Sequence, residues 1–321
     1  MPATQPQSPT RPPTWKMLLA FSIIYFVWGS TFLAIRVGVR EVPPFLLAGM
    51  RFCIAGTILY AWMRARGTAS PTAREWAAAS FLALLIFVFD YGLLFWAERR
   101  VPSGVAAVMM ATIPGFMALA EIIILRTQRF TWRLGLALLI GIAGVAVLVG
   151  RSASLSGAPV DTVGACALIF AAISWSIAAS LSRKFKLPQS KVMSSGAQML
   201  AGGVLLTLAA LLLGEFRGFR VQTVSREAWF ALAYLIVAGS IAGFTAYVWL
   251  IHHESPTKVG TYAYVNPVVA VLVGYFLGGE ALGVRTVAGT LLVLASVLAI
   301  TTTPKREEAK KAPSEAQLAE P

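Results

Sequence analysis

Apolar runs of about twenty residues recur along almost the whole chain, each long enough at 1.5 Å per residue to cross a hydrocarbon layer of roughly 30 Å. The pattern predicts ten spans, at 17–36, 44–63, 75–97, 103–125, 131–149, 161–181, 191–213, 228–250, 257–279 and 286–303. Runs of this length exclude strands and predict an all-α integral membrane protein. Connections such as 37–43, 98–102 and 251–256 leave room only for antiparallel hairpins, so no soluble domain and no built-in ATPase is inserted. The Pro-rich head (1–16) and the charged tail (304–321) read as disordered cytoplasmic ends.

Composition agrees with lipid as the solvent. Hydrophobic residues make up 57% of 321 positions and charged residues 13%, with a mean hydropathy of +0.73. Soluble domains carry roughly a quarter charged residues. The net charge of +13 is not gathered on one face or in one run, so nucleic acid is not an expected partner. The basic residues lie between spans. The inner set of segments holds Arg11, Lys16, Arg64, Arg66, Arg74, Arg126, Arg129, Arg133, Arg183, Lys184, Lys186, Lys191, Lys258, Lys305, Arg306, Lys310 and Lys311; the opposite set holds the fewer Arg36, Arg40, Arg99, Arg100, Arg151, Arg217, Arg220, Arg226 and Arg285. The positive-inside bias therefore places both termini in the cytoplasm, which an even number of spans allows. Arg11 and Lys16 precede the first run as in a signal peptide, but that run is too long and lacks a small-residue cleavage site, so it reads as an uncleaved helix.

Little conventional chemistry is present. Cys53 and Cys166 fall inside spans, where a thiol behaves as a small hydrophobe. His252 and His253 are adjacent in an inner loop, a spacing unsuited to a shared metal. Neither metal nor cofactor is expected. The chain has no G-x-S-x-G, H-E-x-x-H or P-loop pattern, which disfavours an intramembrane enzyme.

An internal repeat points elsewhere. Trp28 and Gly49 are separated by 21 residues, as are Trp175 and Gly196; Trp96 and Pro114 are separated by 18, as are Trp249 and Pro267. Pro102 and Pro256 stand at nearly matching places. These spacings align span one with six, two with seven, three with eight and four with nine. The expected units are 17–149 and 161–303, each of five helices. A five-helix unit that begins inside ends outside, so the two halves would be inverted, with substrate held at their interface and access alternating between faces. Pro114 and Pro267 become candidate hinge or kink positions at equivalent depths.

The segments Val27-Trp28-Gly29-Ser30-Thr31, Ala48-Gly49-Met50-Arg51-Phe52, Ala97-Glu98 with Val101-Pro102-Ser103-Gly104, and Tyr262 to Ala270 resemble the drug/metabolite transporter superfamily, EamA type, and within it the YedA-like exporters. The resemblance runs over about 17–302. It implies ten transmembrane helices as two inverted five-helix repeats, a central cavity, and secondary export of amino acids, other metabolites or toxic compounds across the bacterial inner membrane. Glu280 keeps the acidic residue that the family often shows thirteen positions after the helix-nine proline, whereas its first-half counterpart is Thr127. Asp90 lies outside the family pattern.

Placing a charge at the bilayer centre costs on the order of 3 kcal/mol, so ionisable residues inside spans carry the functional expectation. Arg51 and Asp90 each lie about 10 Å below the outer surface by helix rise. They are expected to face a common cavity, paired with each other or binding the opposite charges of a zwitterionic solute; the alternative is a structural ion pair or a snorkelling Arg51. Glu121 reads as interfacial at the inner end, and Glu98 as part of the outer mouth beside Arg99 and Arg100. Lys258, Tyr262 and Asn266 form a stripe at four-residue steps. Trp96 and Trp249 read as interface anchors, while Trp28, Trp175 and Tyr264 are expected at the solute. Ser30, Thr31, Tyr91 and Gln198 complete the expected cavity wall. Gly239 with Gly243, and Gly274 with Gly278, read as helix-packing patterns.

The function expected is export of small amino-acid-like or amphipathic metabolites by alternating access. Export of cationic toxicants is the alternative within the class, and a channel or intramembrane enzyme the alternative outside it. The expected partners are a small-molecule substrate and the lipid bilayer, with protons as a candidate coupling ion and the monomer as the working unit.

Overall fold

The computed structural model describes residues 13–126, 130–150, 160–254 and 256–302, and these are helical with no strand among them. Among the described residues, nine helices are long and apolar enough to cross a membrane: α1 (Thr14–Val39), α2 (Pro44–Ala65), α3 (Ala73–Ala97), α4 (Ser103–Leu125), α5 (Trp132–Val149), α6 (Thr162–Leu181), α7 (Lys191–Leu212), α8 (Arg226–Leu250) and α11 (Val284–Thr301). The remaining apolar stretch is divided into a short α9 (Pro256–Val259) and the fifteen-residue α10 (Tyr262–Phe276). A continuous span over 257–279 is thus corrected. Gly260 and Thr261, both poor helix formers, make the turn, and Thr261 Oγ1 donates to the Lys258 carbonyl while meeting Tyr25 Oη at 2.5 Å.

Helix starts follow from local chemistry. Thr72 and Glu75 close a reciprocal capping box at α3. Thr131, Asp161, Ser190 and Ser225 cap α5, α6, α7 and α8. The α2 and α4 starts have Pro43 and Pro102 at the cap position, with no side chain to accept a bond. Distant carboxylates serve instead. Glu215 accepts from the Phe45 and Leu46 amides at 3.4 and 2.9 Å, and Glu280 from those of Ser103 and Gly104 at 2.7 and 3.1 Å.

The two proline positions differ. Helix α4 is interrupted at Ala111–Thr112, and Pro114 sits in the first turn of the resumed helix, where a missing N–H is tolerated. Pro267 lies inside the continuous α10. Wider π turns, which release backbone carbonyls, occur at Ile23–Val27 in α1, Leu84–Gly92 in α3, Glu121–Leu125 in α4 and Leu235–Ala242 in α8.

Helix α2 packs along α7, and α5 along α11; α1, α3, α4, α6, α8 and α10 interlock around the middle. Lipid gives no hydrophobic drive to such pairing, so close approach at small residues has to supply it. A Cβ added at Gly56 would stand 2.4 Å from the Leu200 backbone nitrogen, and one at Gly203 2.3 Å from that of Cys53. Gly49 and Gly196 approach Thr207 and Tyr60 in the same way. On the outer side of α5, Leu136, Leu139 and Ile142 are exposed, as a lipid-facing stripe requires. Gly203→Leu forces α2 and α7 apart and costs at least about 3 kcal/mol, with the surface Val204→Leu as control. Size-exclusion profiles and melting in detergent check this; an unchanged profile for Gly203→Leu would show that the crossing tolerates bulk.

Candidate functional site

A cavity of about 560 Å³ lies among α1, α2, α3, α4, α6, α7, α8 and α10. It reaches from Ile35 and Leu94 in the outer half to Ser195, Val259 and Thr301 near the inner helix ends. Its wall is mostly apolar, with few polar groups, the usual character of a small-molecule site.

Arg51 and Asp90 stand on this wall, 3% and 2% exposed. The Arg51 guanidinium donates from Nε to Ser240 Oγ at 2.9 Å and lies over the rings of Phe52, Tyr91 and Phe95 at 4.7, 5.5 and 6.0 Å. Such ring faces stabilise a desolvated cation by up to about 2 kcal/mol. Its Nη1, and Oδ1 of Asp90, are buried with no protein partner. No ion pair joins the two side chains among the described residues. Of the two arrangements expected for these residues, direct pairing is not the one formed: Arg51 turns to Ser240 in the π turn of α8 and lies on its aromatic bed.

The π turns supply acceptors around the cavity. Trp28 Nε1 donates to the Gly239 carbonyl at 3.1 Å, and Ser174 of α6 to the Leu85 carbonyl of α3 at 2.9 Å. With its amide set to satisfy its surroundings, Asn266 donates to the Ile24 and Tyr25 carbonyls in the α1 π turn at 3.0 and 3.1 Å. Trp28 also meets Tyr247 and Tyr262 ring to ring at 5.5 and 5.2 Å. Gly243 is required here, since its Cβ would stand 2.3 Å from Trp28 Nε1.

At the outer end the cavity is sealed. Arg36 donates to the Val101 carbonyl at 2.6 Å and stands 3.4 Å from Glu280, whose carboxylate also accepts from Ser103 Oγ at 2.7 Å. Val101, Ser103 and Glu98 are all fully buried. Glu98 is thus not part of an open mouth: its side chain is fully buried, and Arg36 and Glu280 are the charges that act on it.

Of the residues expected at the cavity from sequence, Trp28, Thr31, Arg51, Asp90, Tyr91, Pro114, Trp175, Gln198, Tyr262, Asn266 and Pro267 line it. Ser30 does not; its hydroxyl bonds to the Phe26 carbonyl and to Tyr234 at the contact with α8. Tyr264 does not either, since two residues beyond Tyr262 lies on the far side of a helix, and it packs against the core. The stripe through Lys258 is broken by the Gly260 turn, and Lys258 pairs with Glu254 at 3.0 Å. Glu121, expected near the inner interface, is buried and pairs with the partly exposed Arg183 at 2.9 Å. His252 and His253 continue the helix beyond the apolar span of α8 instead of forming a loop, each ring nitrogen meeting the carbonyl four residues earlier. Among the described residues no His, Cys, Asp and Glu cluster suits a metal. Thr127 lies outside the described residues. Ser240 and Phe244 were not singled out from sequence; the Ser240 position on the wall depends on the π turn, which hydrophobic periodicity does not reveal.

Comparison with known proteins places the chain among membrane transporters. The profile of the EamA-like transporter family matches residues 15–150 and again 162–302. The chain is 37% identical over 282 residues to the uncharacterized inner membrane transporter YedA of Escherichia coli K12, covering 87% of this chain and 89% of that one. It is 24% identical to the protein PagO of Salmonella typhimurium, over 88% and 90% of the two chains. A solved crystal structure superposes with a TM-score of 0.61 at 23% identity, covering 92% of this chain and 99% of that one, and so shares the fold.

Ser240→Ala removes the acceptor of Arg51 Nε and is expected to destabilise the protein by about 2 kcal/mol, the worth of a hydrogen bond to a charged group. Thermal unfolding in detergent measures it, and a melting temperature equal to wild type would mean that the guanidinium is held by its rings alone.

Proposed function

The chain belongs to the EamA-like transporter family, and from that premise we propose that it is a secondary transporter carrying zwitterionic, amino-acid-like metabolites out of the cytoplasm by alternating access. One observation carries the reading: Arg51 and Asp90 each present a buried polar atom without a protein partner at the wall of a single cavity. A solute carboxylate answers the guanidinium and a solute ammonium answers the carboxylate, so one zwitterion satisfies both charges at once. The apolar remainder of the wall, with Phe52, Phe87, Met110 and Phe244, takes up the solute's side chain. A monocationic toxicant answers Asp90 alone and is repelled by Arg51, which ranks that cargo second.

Two inverted five-helix repeats, 17–149 and 161–303, form the proposed framework. It is supported by the two separate profile matches, by the pairing of α2 with α7 and of α5 with α11, and by π turns at corresponding places in α3 and α8. With the inner side assigned from the positive charges, the cavity reaches toward the cytoplasm while the outer end is closed, a state suited to loading from inside. Parting of the outer contacts and closure of α9–α10 against α1 would complete the exchange of access. The monomer suffices for this cycle.

Purified protein in liposomes preloaded with an amino acid panel is expected to show counterflow, which a channel does not. Arg51→Gln and Asp90→Asn, at wild-type levels of insertion, each raise the half-saturating concentration of the zwitterion at least about tenfold, as expected when one charge of a buried pair loses its partner. Unchanged kinetics in both variants would remove the zwitterion from the site.

A further inference from the structure

The outer seal contains a group that the transport reading does not use. Glu98 closes α3, is fully buried, and neither carboxyl oxygen has a hydrogen-bond partner. The carboxylate of Glu280 nearby is fully engaged, with the Ser103 amide and hydroxyl on Oε1 and the Gly104 amide on Oε2. Arg36, from α1, gives its Nη1 to the Val101 carbonyl and stands 3.4 Å from Glu280 through Nε.

The charges facing Glu98 from each packed element do not balance without a further cation. Helix α1 brings Arg36, and the connection before α11 brings Glu280. On the segment that follows α3, Arg100 turns away over the Trp96 ring at 4.4 Å, with Asp161 of the α6 start at 3.9 Å. Arg99 acts on Glu215, from the connection between α7 and α8. Two carboxyl groups therefore share one guanidinium that Glu280 already engages. Burial, and next the negative charge of Glu280, hold the Glu98 carboxyl well above the ordinary carboxylate range, against the smaller opposing effect of Arg36.

We propose that Glu98 is a proton-binding site of the outer seal: the closed outer face holds one proton there, and external alkalinity unlocks it. Opening hydrates Glu98, returns it to ordinary carboxylate acidity, and releases the proton to the outside. The sign follows from linkage. The sealed state binds more protons than the open one, so its advantage is complete below the acidity constant of the open state and is lost as external pH rises through that of the sealed state. The proton enters and leaves on the same side, so this site tunes the occupancy of the two states and moves no net proton. The inference rests on alternating access as proposed above, but not on the identity of the cargo.

The test needs no substrate. In a chain with Cys53→Ala and Cys166→Ala, Val101→Cys and, separately, the equally buried Ala106→Cys report opening, and the exposed outer Gln222→Cys corrects for the reactivity of a thiol at each pH. Right-side-out vesicles are labelled with a membrane-impermeant maleimide. The corrected rate at both reporters is expected to rise at least about tenfold between about pH 5.5 and about pH 8.5, within the limit of about tenfold per pH unit that a one-proton lock allows. Glu98→Gln, neutral at every pH, keeps the slow acid rate throughout. Glu280→Gln, which removes the neighbouring negative charge, moves the midpoint to lower pH and serves also if Glu98→Gln inserts poorly. A flat profile with Glu98 intact, or a profile that neither variant alters, overturns the proposal. Counterflow measured on the same protein separates the two readings: transport with a flat labelling profile removes the proton site alone, and a pH-dependent seal without counterflow removes the carrier alone.

Discussion

A guanidinium kept inside the hydrocarbon zone is the constraint around which the centre of this molecule is arranged. Arg51 cannot be left to lipid, and it is too deep to be ignored by its neighbours. Its Nε is answered by Ser240, whose place on the wall exists because α8 widens into a π turn there, and whose own hydroxyl donates back to the Leu235 carbonyl at 3.0 Å. The same turn leaves the Gly239 carbonyl for Trp28. Position 239 must stay small, since a Cβ would lie 3.2 Å from Arg51 Nη2 and 2.9 Å from Thr31. One buried charge thereby ties α1, α2 and α8 together, and the aromatic bed beneath it brings in α3 through Tyr91 and Phe95.

Irregular backbone recurs in four of the helices that line the cavity, α1, α3, α4 and α8, for a common reason. A regular helix satisfies all its internal carbonyls and offers nothing to a neighbour, so polar contact between helices in lipid requires a turn that releases one. The α1 π turn gives the Ile24 and Tyr25 carbonyls to Asn266 of α10, the α3 π turn gives Leu85 to Ser174, and the α4 interruption gives Ile113 to Ser176 at 3.2 Å. In each case the donor is a small polar side chain on the facing helix. The outer helices α5 and α11, which contribute only Thr301 to the cavity, carry no such turns.

Much of this was legible in the sequence because membrane spans are written in composition. Apolar runs located nine of the long helices within a few residues, and the depth of Arg51 and Asp90 placed both on one wall. The breaks were not legible. Gly260 and Thr261 divide the expected 257–279 span inside its polar inner end, where apolar run length is a poor guide to helix breaks, and π turns leave no mark on periodicity. Ser30 and Tyr264 show the cost of choosing residues by motif instead of by face: each neighbours a true wall residue in sequence and points elsewhere. Glu98 stands next to Arg99 and Arg100 in a short connection, which in sequence points to an open mouth, while the charges that act on it come from the distant positions 36 and 280.

Helix caps add a further distinction between the two faces. The inward starts of α3, α5 and α7 are closed by their own Thr72, Thr131 and Ser190, so these ends need nothing from another helix. At the outer face α2 and α4 begin behind prolines and borrow Glu215 and Glu280, and Ser225 at the α8 start is further held by Glu41 through its amide and hydroxyl at 2.6 and 2.7 Å. A cap is worth about 1 kcal/mol. Separating the outer ends therefore breaks several caps together, whereas separating the inner ends breaks none of those three. At α2 and α4, outer closure and helix capping rest on the same borrowed carboxylates, which agrees with a cavity that reaches the inner end and is shut at the outer one.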